Sequence, residues 1–163
     1  MSQVVLTERA IRQKIERIAY QILEQNHEES SVTLVGINNA GLAFARLIEA
    51  ELHQIGSLGC TTAGVRLNPA APTTEPVEID LLPEQIVGSS IIVVDDVANT
   101  GRTIFYACRP FFNSLPKSIQ VAVLVDRMHK SFPVKVDYVG LSLATTLRDH
   151  IDVDLEEMVV RMD

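Results

Sequence analysis

Basic residues are scarce in this sequence. Lys and Arg total 14 against 21 Asp and Glu, a formal net charge of −7. Broad, non-specific nucleic-acid binding needs a surplus of positive charge, so that class is disfavoured, although a local basic face is not. Cysteine is scarcer still. Cys60 and Cys108 lie far apart and form no C-x-x-C pair. They leave room for one disulfide at most, and reduced thiols in a cytoplasmic protein are the expectation. Long apolar runs are missing too. Ile91–Val94 and Val121–Val125 are strand-length and too short to cross a bilayer. Met1–Arg12 reaches Glu8 and Arg9 before any apolar run, unlike a signal peptide. Neither a G-x-x-x-x-G-K-[ST] P-loop nor a G-x-G-x-x-G dinucleotide fingerprint occurs. No repeat, low-complexity tract or linker divides the chain.

What is present reads as one globular domain over residues 1–163. Hydrophobic residues make up 47% and charged residues 21%, enough to bury a core without disulfides or metals. Thr7 is placed to cap a helix running to about Asn26, with Ile11, Ile15, Ile18 and Ile22 at helical spacing. Ser31–Ile37 reads as a buried strand. A second helix is expected from about Ala40 to Ile55, and a strand over Cys60–Leu67. Asn68–Asp80 holds three prolines and reads as a long loop, a type that is usually functional or disordered. Ser90–Asp95 reads as a strand, followed by a helix from Thr100 or Gly101 to about Leu115. Ile119–Asp126 and Val136–Leu143 complete the strands, and Asp152–Val160 is expected to add a last short one. Continuously apolar strands alternating with helices predict an α/β fold, with a mostly parallel central sheet flanked by helices on both faces.

The informative segment is Ile91-Ile-Val-Val-Asp-Asp-Val-Ala-Asn-Thr-Gly-Arg-Thr103. A buried strand ends in two acids, and a turn of small residues opens a helix. Such sheets bind ligands at the carboxyl ends of their strands. A helix start presents N–H groups and partial positive charge to a phosphate. Gly101 lets the backbone approach an anion, and Thr100 and Thr103 add hydroxyl donors. Asp95 and Asp96 are placed to accept from the hydroxyls of a ribose. They could instead cap turns or hold a metal. Being adjacent, they do not fit the D-x-D-x-[TV] start of a phosphatase.

Val94–Thr103 resembles the phosphoribosyl pyrophosphate (PRPP) motif of type I phosphoribosyltransferases. Further stretches extend the likeness from Leu6 to Glu157. These are Thr7–Arg12 with Arg17–Ala19, Leu34–Ile37, Val121–His129, Pro133 and Asp137–Gly140. Within that family the sequence is similar to the bifunctional pyrimidine operon regulators, uracil phosphoribosyltransferases that also bind attenuator RNA. The resemblance implies a type I phosphoribosyltransferase fold and transfer of a 5-phosphoribosyl group from PRPP to a nucleobase, uracil in the first place, with release of pyrophosphate. It also implies a homodimer, and Mg²⁺ carried on PRPP and pyrophosphate with no direct protein ligand. Carried over by position, Asp95 and Asp96 meet the ribose, and Ala98, Asn99, Thr100, Gly101, Arg102 and Thr103 wrap the 5-phosphate. Asn38, Asn39, Ala40 and Gly41 form the pyrophosphate loop. Arg127, Met128 and His129 lie beside the base, where His129 reads equally as a solvated loop residue.

The sequence also departs from the family. Its pyrophosphate loop is Asn-Asn-Ala-Gly where Lys-Thr-Arg-Gly is usual, and no Lys or Arg occurs from Leu67 to Gly101. Arg66 is the one nearby cation, read either as a catalytic residue or as a surface arginine. Donors aimed at a departing anion are a main protein contribution to such a reaction, each worth on the order of 100- to 1,000-fold in rate. The departures therefore frame an alternative: a PRPP- or nucleotide-binding regulator with weak or no turnover, acting on RNA or a protein. Asn99 cannot act as a general base. In the family, purine-specific members place Asp there and pyrimidine regulators usually an aromatic residue, so Asn99 argues mildly against purines and matches the pyrimidine pattern imperfectly. Arg9, Arg12, Lys14 and Arg17 on the first helix are either an RNA face or its solvated side, and the acidic tail after Arg148 opposes RNA.

Overall fold

A computed structural model describes all residues, Met1–Asp163. The main sheet contains β2 (Ser31–Ile37), β3 (Gly59–Arg66), β4 (Glu78–Ile79), β5 (Ser90–Ala98), β6 (Ser118–Arg127) and β7 (Tyr138–Leu143), in the order β4-β3-β2-β5-β6-β7. All neighbours pair parallel except β4, which runs antiparallel to β3. The strands read as apolar runs because both faces are covered. Val32 and Leu34 of β2, Ile92 and Val94 of β5, and Ala122 and Leu124 of β6 enter one core. Val35, Ile37, Ile91, Val93, Val121 and Val123 enter the other. This is the period-two alternation of a strand buried on both sides.

Helices α1 (Glu8–Gln25) and α2 (Asn38–Ile55) fill the first face. Thr7 caps α1, its Oγ1 accepting from Ala10 N at 3.4 Å, and Ile11, Ile15, Ile18, Ala19 and Ile22 line the buried stripe. Full burial of each such isoleucine is worth about 1.5–3 kcal/mol. The short helices α3 (Pro83–Ile86) and α4 (Arg102–Ala107), with a 3₁₀ turn at Arg109–Phe111, cover the second face.

Several boundaries differ from the sequence reading. Helix α2 begins at Asn38 rather than Ala40. Strand β5 continues past Asp95 to Ala98 because its pairing with β6 runs to Ala98 opposite Asp126. Helix α4 stops at Ala107 rather than near Leu115, since Pro110 has no N–H to give and crowds the preceding turn. Within Asn68–Asp80, Glu78–Ile79 forms β4.

The tail departs most. It supplies two strands, β8 (Ile151–Asp154) and β9 (Val159–Met162), and these join β1 (Gln3–Leu6) in a separate antiparallel sheet of order β1-β9-β8. Leu6, Ile151, Met158 and Val160 share the core of α1 and α2, which seats the small sheet on the large one.

Sheet order fixes the site. From β2 the chain steps to β3 on one side and later to β5 on the other. The segments leaving the carboxyl ends of β2 and β5 therefore diverge and open a crevice between them.

Candidate active site

Strand β5 delivers the two acids. Asp95 is 8% exposed and Asp96 is half-buried. Each uses one carboxylate oxygen locally. Asp95 Oδ1 accepts from Asp96 N at 2.9 Å, and Asp96 Oδ1 accepts from Val97 N at 2.8 Å. The second oxygen of each is free for a ligand. Burial, and next the charge of Asp96, push the Asp95 carboxyl well above the usual carboxylate range.

The turn beyond them is a cradle. Gly101 has φ 86°, a left-handed conformation, and caps α4. A Cβ there would also lie 3.2 Å from Val134, so Gly is the residue that fits. The Thr100 carbonyl accepts from Ser131 N at 2.9 Å and from Phe132 N at 3.2 Å, which anchors the turn to the segment after β6. Asp95, Val97 and the run Ala98–Ile104 line a cleft of about 400 Å³, with Pro69 on its far wall. Of the residues expected to bind PRPP, all but Asp96 line this cavity. Arg102 donates from Nη2 to the Pro69 carbonyl at 2.7 Å, joining the cradle to the 68–77 loop.

The segment after β2 is built differently. Asn38 has φ 52°, a conformation Asn tolerates better than most residues. Its Oδ1 accepts from Leu67 N at 3.1 Å, tying the ends of β2 and β3 together. Gly41 packs against β5, where a Cβ would stand 2.5 Å from the Val94 carbonyl oxygen and 3.3 Å from Asp95. Asn39 and Ala40 face Asp152, Asp154 and Glu156 across a separate depression. All four residues expected as a pyrophosphate loop thus lie in the first turn of α2.

Arg66 sits at the end of β3 in a fork with Asp80, at 2.9 and 2.8 Å, and 3.8 Å from Glu78. The Asp80 hydrogen bond raises the Arg66 pKa and lowers that of Asp80. Arg66 therefore has a carboxylate partner supplied by the β3–β4 pairing, which strand spacing did not reveal.

On the third side, Arg127 closes β6 and reaches three groups. Its Nε donates to Thr145 Oγ1 at 2.8 Å, one Nη to Asn99 Oδ1 at 3.1 Å and the other to the Thr146 carbonyl at 2.8 Å. His129 Nε2 donates to the Thr145 carbonyl at 2.7 Å, while Met128 projects to solvent. Arg127 and His129 together hold the segment 144–150 against the cradle. Asn99, Thr100, Arg127, His129 and Leu147 line a small open cavity of about 80 Å³. Thr145, Thr146 and Asp149 were not anticipated. Thr146 donates to Asp149 Oδ2 from both N and Oγ1, at 2.7 and 2.9 Å. That local Thr-x-x-Asp turn is the sequence signal that could have found them.

The first helix shows how its basic residues are engaged. Arg12 pairs with Glu8 at 2.9 Å. Arg17 reaches across to β7, donating to the Val139 and Gly140 carbonyls at 3.1 and 2.7 Å. Both cysteines are free, and burial pushes the Cys60 thiol up to about 12 and the Cys108 thiol up to about 11. Such thiols are inert at neutral pH. No helix is long and apolar enough to cross a membrane.

A mostly parallel sheet with its crevice at the switch point, two acids at a strand end and a glycine-hinged turn fit the fold class of the phosphoribosyltransferases. The sequence pattern of the phosphoribosyl transferase domain family matches residues 3–157, and the chain belongs to that family. It is similar to the bifunctional protein PyrR of Streptococcus equi subsp. zooepidemicus, with 37% identity over 160 residues, covering 96% of this chain and 92% of the relative. Its similarity to the bifunctional protein PyrR of Halalkalibacterium halodurans is 34% over 167 residues, covering 97% and 93%. Among solved structures, the hypoxanthine phosphoribosyltransferase of Trypanosoma cruzi superposes with a TM-score of 0.81 at 17% identity, covering 98% of this chain and 95% of that one. A hypoxanthine-guanine phosphoribosyltransferase of Bacillus anthracis gives 0.76 at 20%, covering 97% and 95%. At these identities the structural likeness is one of fold, the type I phosphoribosyltransferase fold.

Proposed function

We propose that the chain transfers the 5-phosphoribosyl group of PRPP to a nucleobase, with uracil the first acceptor to test. The observation that carries this reading is the cradle: one cleft brings together a carboxylate of β5, two threonine hydroxyls and a left-handed glycine. In the proposed reaction the ribose C1–oxygen bond to pyrophosphate breaks and a bond from C1 to a ring nitrogen forms. The nitrogen's proton passes to solvent, since Asn99 has no basic lone pair to take it. The free oxygens of Asp95 and Asp96 suit the ribose hydroxyls. They also suit a hard cation such as Mg²⁺, which supplies positive charge to pyrophosphate when bound.

A second reading has its own observation. Arg66 is held by Asp80 and Glu78, and the side chains of the β2 turn bring no cation to the leaving group. On that reading the chain binds PRPP or a nucleotide with little turnover and acts as a regulator.

Pyrophosphate release separates the two. Release with PRPP, Mg²⁺ and uracil, absent with purine bases and reduced in Asp96→Asn, supports transfer. Saturable PRPP binding by calorimetry with no release from any base supports the regulator.

A further inference from the structure

The small cavity behind the cradle has a wall whose chemistry is fixed by one hydrogen bond. Asn99 lines both this cavity and the main cleft. An asparagine amide offers an acceptor at one end and donors at the other, and which end faces a ligand depends on what holds it. Here Oδ1 accepts from Arg127 at 3.1 Å. Arg127 cannot turn away freely, because its other two contacts clamp Thr145 and Thr146. Turning the amide over would set its NH₂ against a guanidinium, donor against donor, and lose a charge-assisted hydrogen bond. The donor end, Nδ2, has no partner within the chain and remains for a ligand. His129 reinforces the arrangement, since its Nε2 proton goes to the Thr145 carbonyl. Leu147, 91% exposed, forms an open apolar edge of the cavity.

We propose that Asn99, its amide oriented by Arg127, donates from Nδ2 to a carbonyl oxygen of an oxopyrimidine lying between Asn99 and Leu147, and so sets the base preference of the site. This rests on the reading that a ribose 5-phosphate occupies the adjacent cradle. Asn99 touches the base, whereas Arg127 is a positioning residue. The site thus selects a base by donating to its oxygen, and Asp at this position would present only acceptors to the same edge.

The test is calorimetry on the full chain with ribose 5-phosphate, uridine 5′-monophosphate and its 2-thio and 4-thio analogues. The readout is the affinity ratio of uridine monophosphate to ribose 5-phosphate, in which changes at the phosphate seat cancel. Asn99→Asp is expected to lower that ratio roughly tenfold, the scale of one lost hydrogen bond facing a repelled acceptor. Arg127→Gln, which frees the amide to turn, lowers it less. One of the two thio-nucleotides, sulfur being a poor acceptor, binds the wild type several-fold more weakly than uridine monophosphate and loses that deficit in Asn99→Asp. An unchanged ratio in Asn99→Asp, or thio penalties identical in wild type and variant, overturns the assignment while leaving the ribose phosphate site standing. Failure of ribose 5-phosphate itself to bind overturns the site reading and this inference together.

Discussion

The segments that leave β5 and β2 flank one crevice, yet they have been put to different uses. The β5 turn keeps its chemistry available: each acid has an unengaged oxygen, and the glycine at position 101 bends the chain around an open cleft. The β2 turn is occupied by architecture. Asn38 holds the start of the 67–77 loop, Gly41 exists to let α2 approach β5, and Arg66 next door is tied to two acids. The difference teaches that two turns flanking one crevice can divide the work, one leaving its polar groups open to a cleft and the other spending them on packing.

The comparison can be broken most severely at Gly41. Gly41→Ala pushes a methyl into the Val94 carbonyl, and overpacking of this kind costs about 3 kcal/mol. Thermal denaturation is expected to show a fall of roughly 6–12 °C for a chain of this size. A fall below 2 °C would mean that α2 moves easily and the β2 turn is not fixed by packing.

Asp95→Asn probes the opposite side and has two signatures. Ribose 5-phosphate affinity should fall about 10- to 100-fold, the scale of one hydrogen bond to a charged group. Stability at neutral pH should rise. The folded carboxyl is raised by burial and by Asp96, so wild type has its full stability below the unfolded value of about 3.9 and loses part of it as pH rises through the folded value. The advantage of the variant should therefore vanish toward pH 3 in denaturant titrations. A variant no more stable than wild type at pH 7 would refute the assigned burial penalty.

Asn38 gives a smaller and more discriminating effect. Asn38→Ala loses the bond to Leu67 N and strains a left-handed residue, for about 1.5–2 kcal/mol. Asn38→Gly loses the same bond without the strain and should cost less. Equal costs, measured by urea unfolding, would show that the positive φ carries no penalty.

The smallest stability effect is expected at Asp80→Asn, under about 1 kcal/mol, because its pair with Arg66 is exposed. Its value lies in function. If Arg66 is withheld from the leaving group by Asp80, the variant should bind PRPP more tightly relative to ribose 5-phosphate. An unchanged ratio would show that Arg66 cannot reach that position.

The strands of the large sheet were legible because burial on two faces writes an unbroken apolar run. The cradle was legible because its acids, glycine and threonines lie within nine residues of chain. The roles of Asn38 and Arg66 were not, since both depend on partners brought by strand register, Leu67 across from β2 and Asp80 beyond β4. The 3₁₀ stop after α4 has its local signal in Pro110. The small sheet was the least visible. Its strands are short, half-exposed and paired with segments at the far end of the sequence, so no local period announces them. The family resemblance alone puts Arg127 beside a base, and its threefold engagement emerges only with segment 144–150 in view.

The pairing of Gln3 with Met162 and Val4 with Arg161 carries a consequence for the order of events. In chain order β1 precedes the whole large sheet and β9 follows it, so β1 must wait through synthesis of that sheet for its partner. Closing so long a loop adds only logarithmically to the entropic cost, yet the contact is the slowest kind to find. The clasp therefore forms after the sheet beneath it and should open before it, its amides exchanging with solvent while those of β5 remain protected.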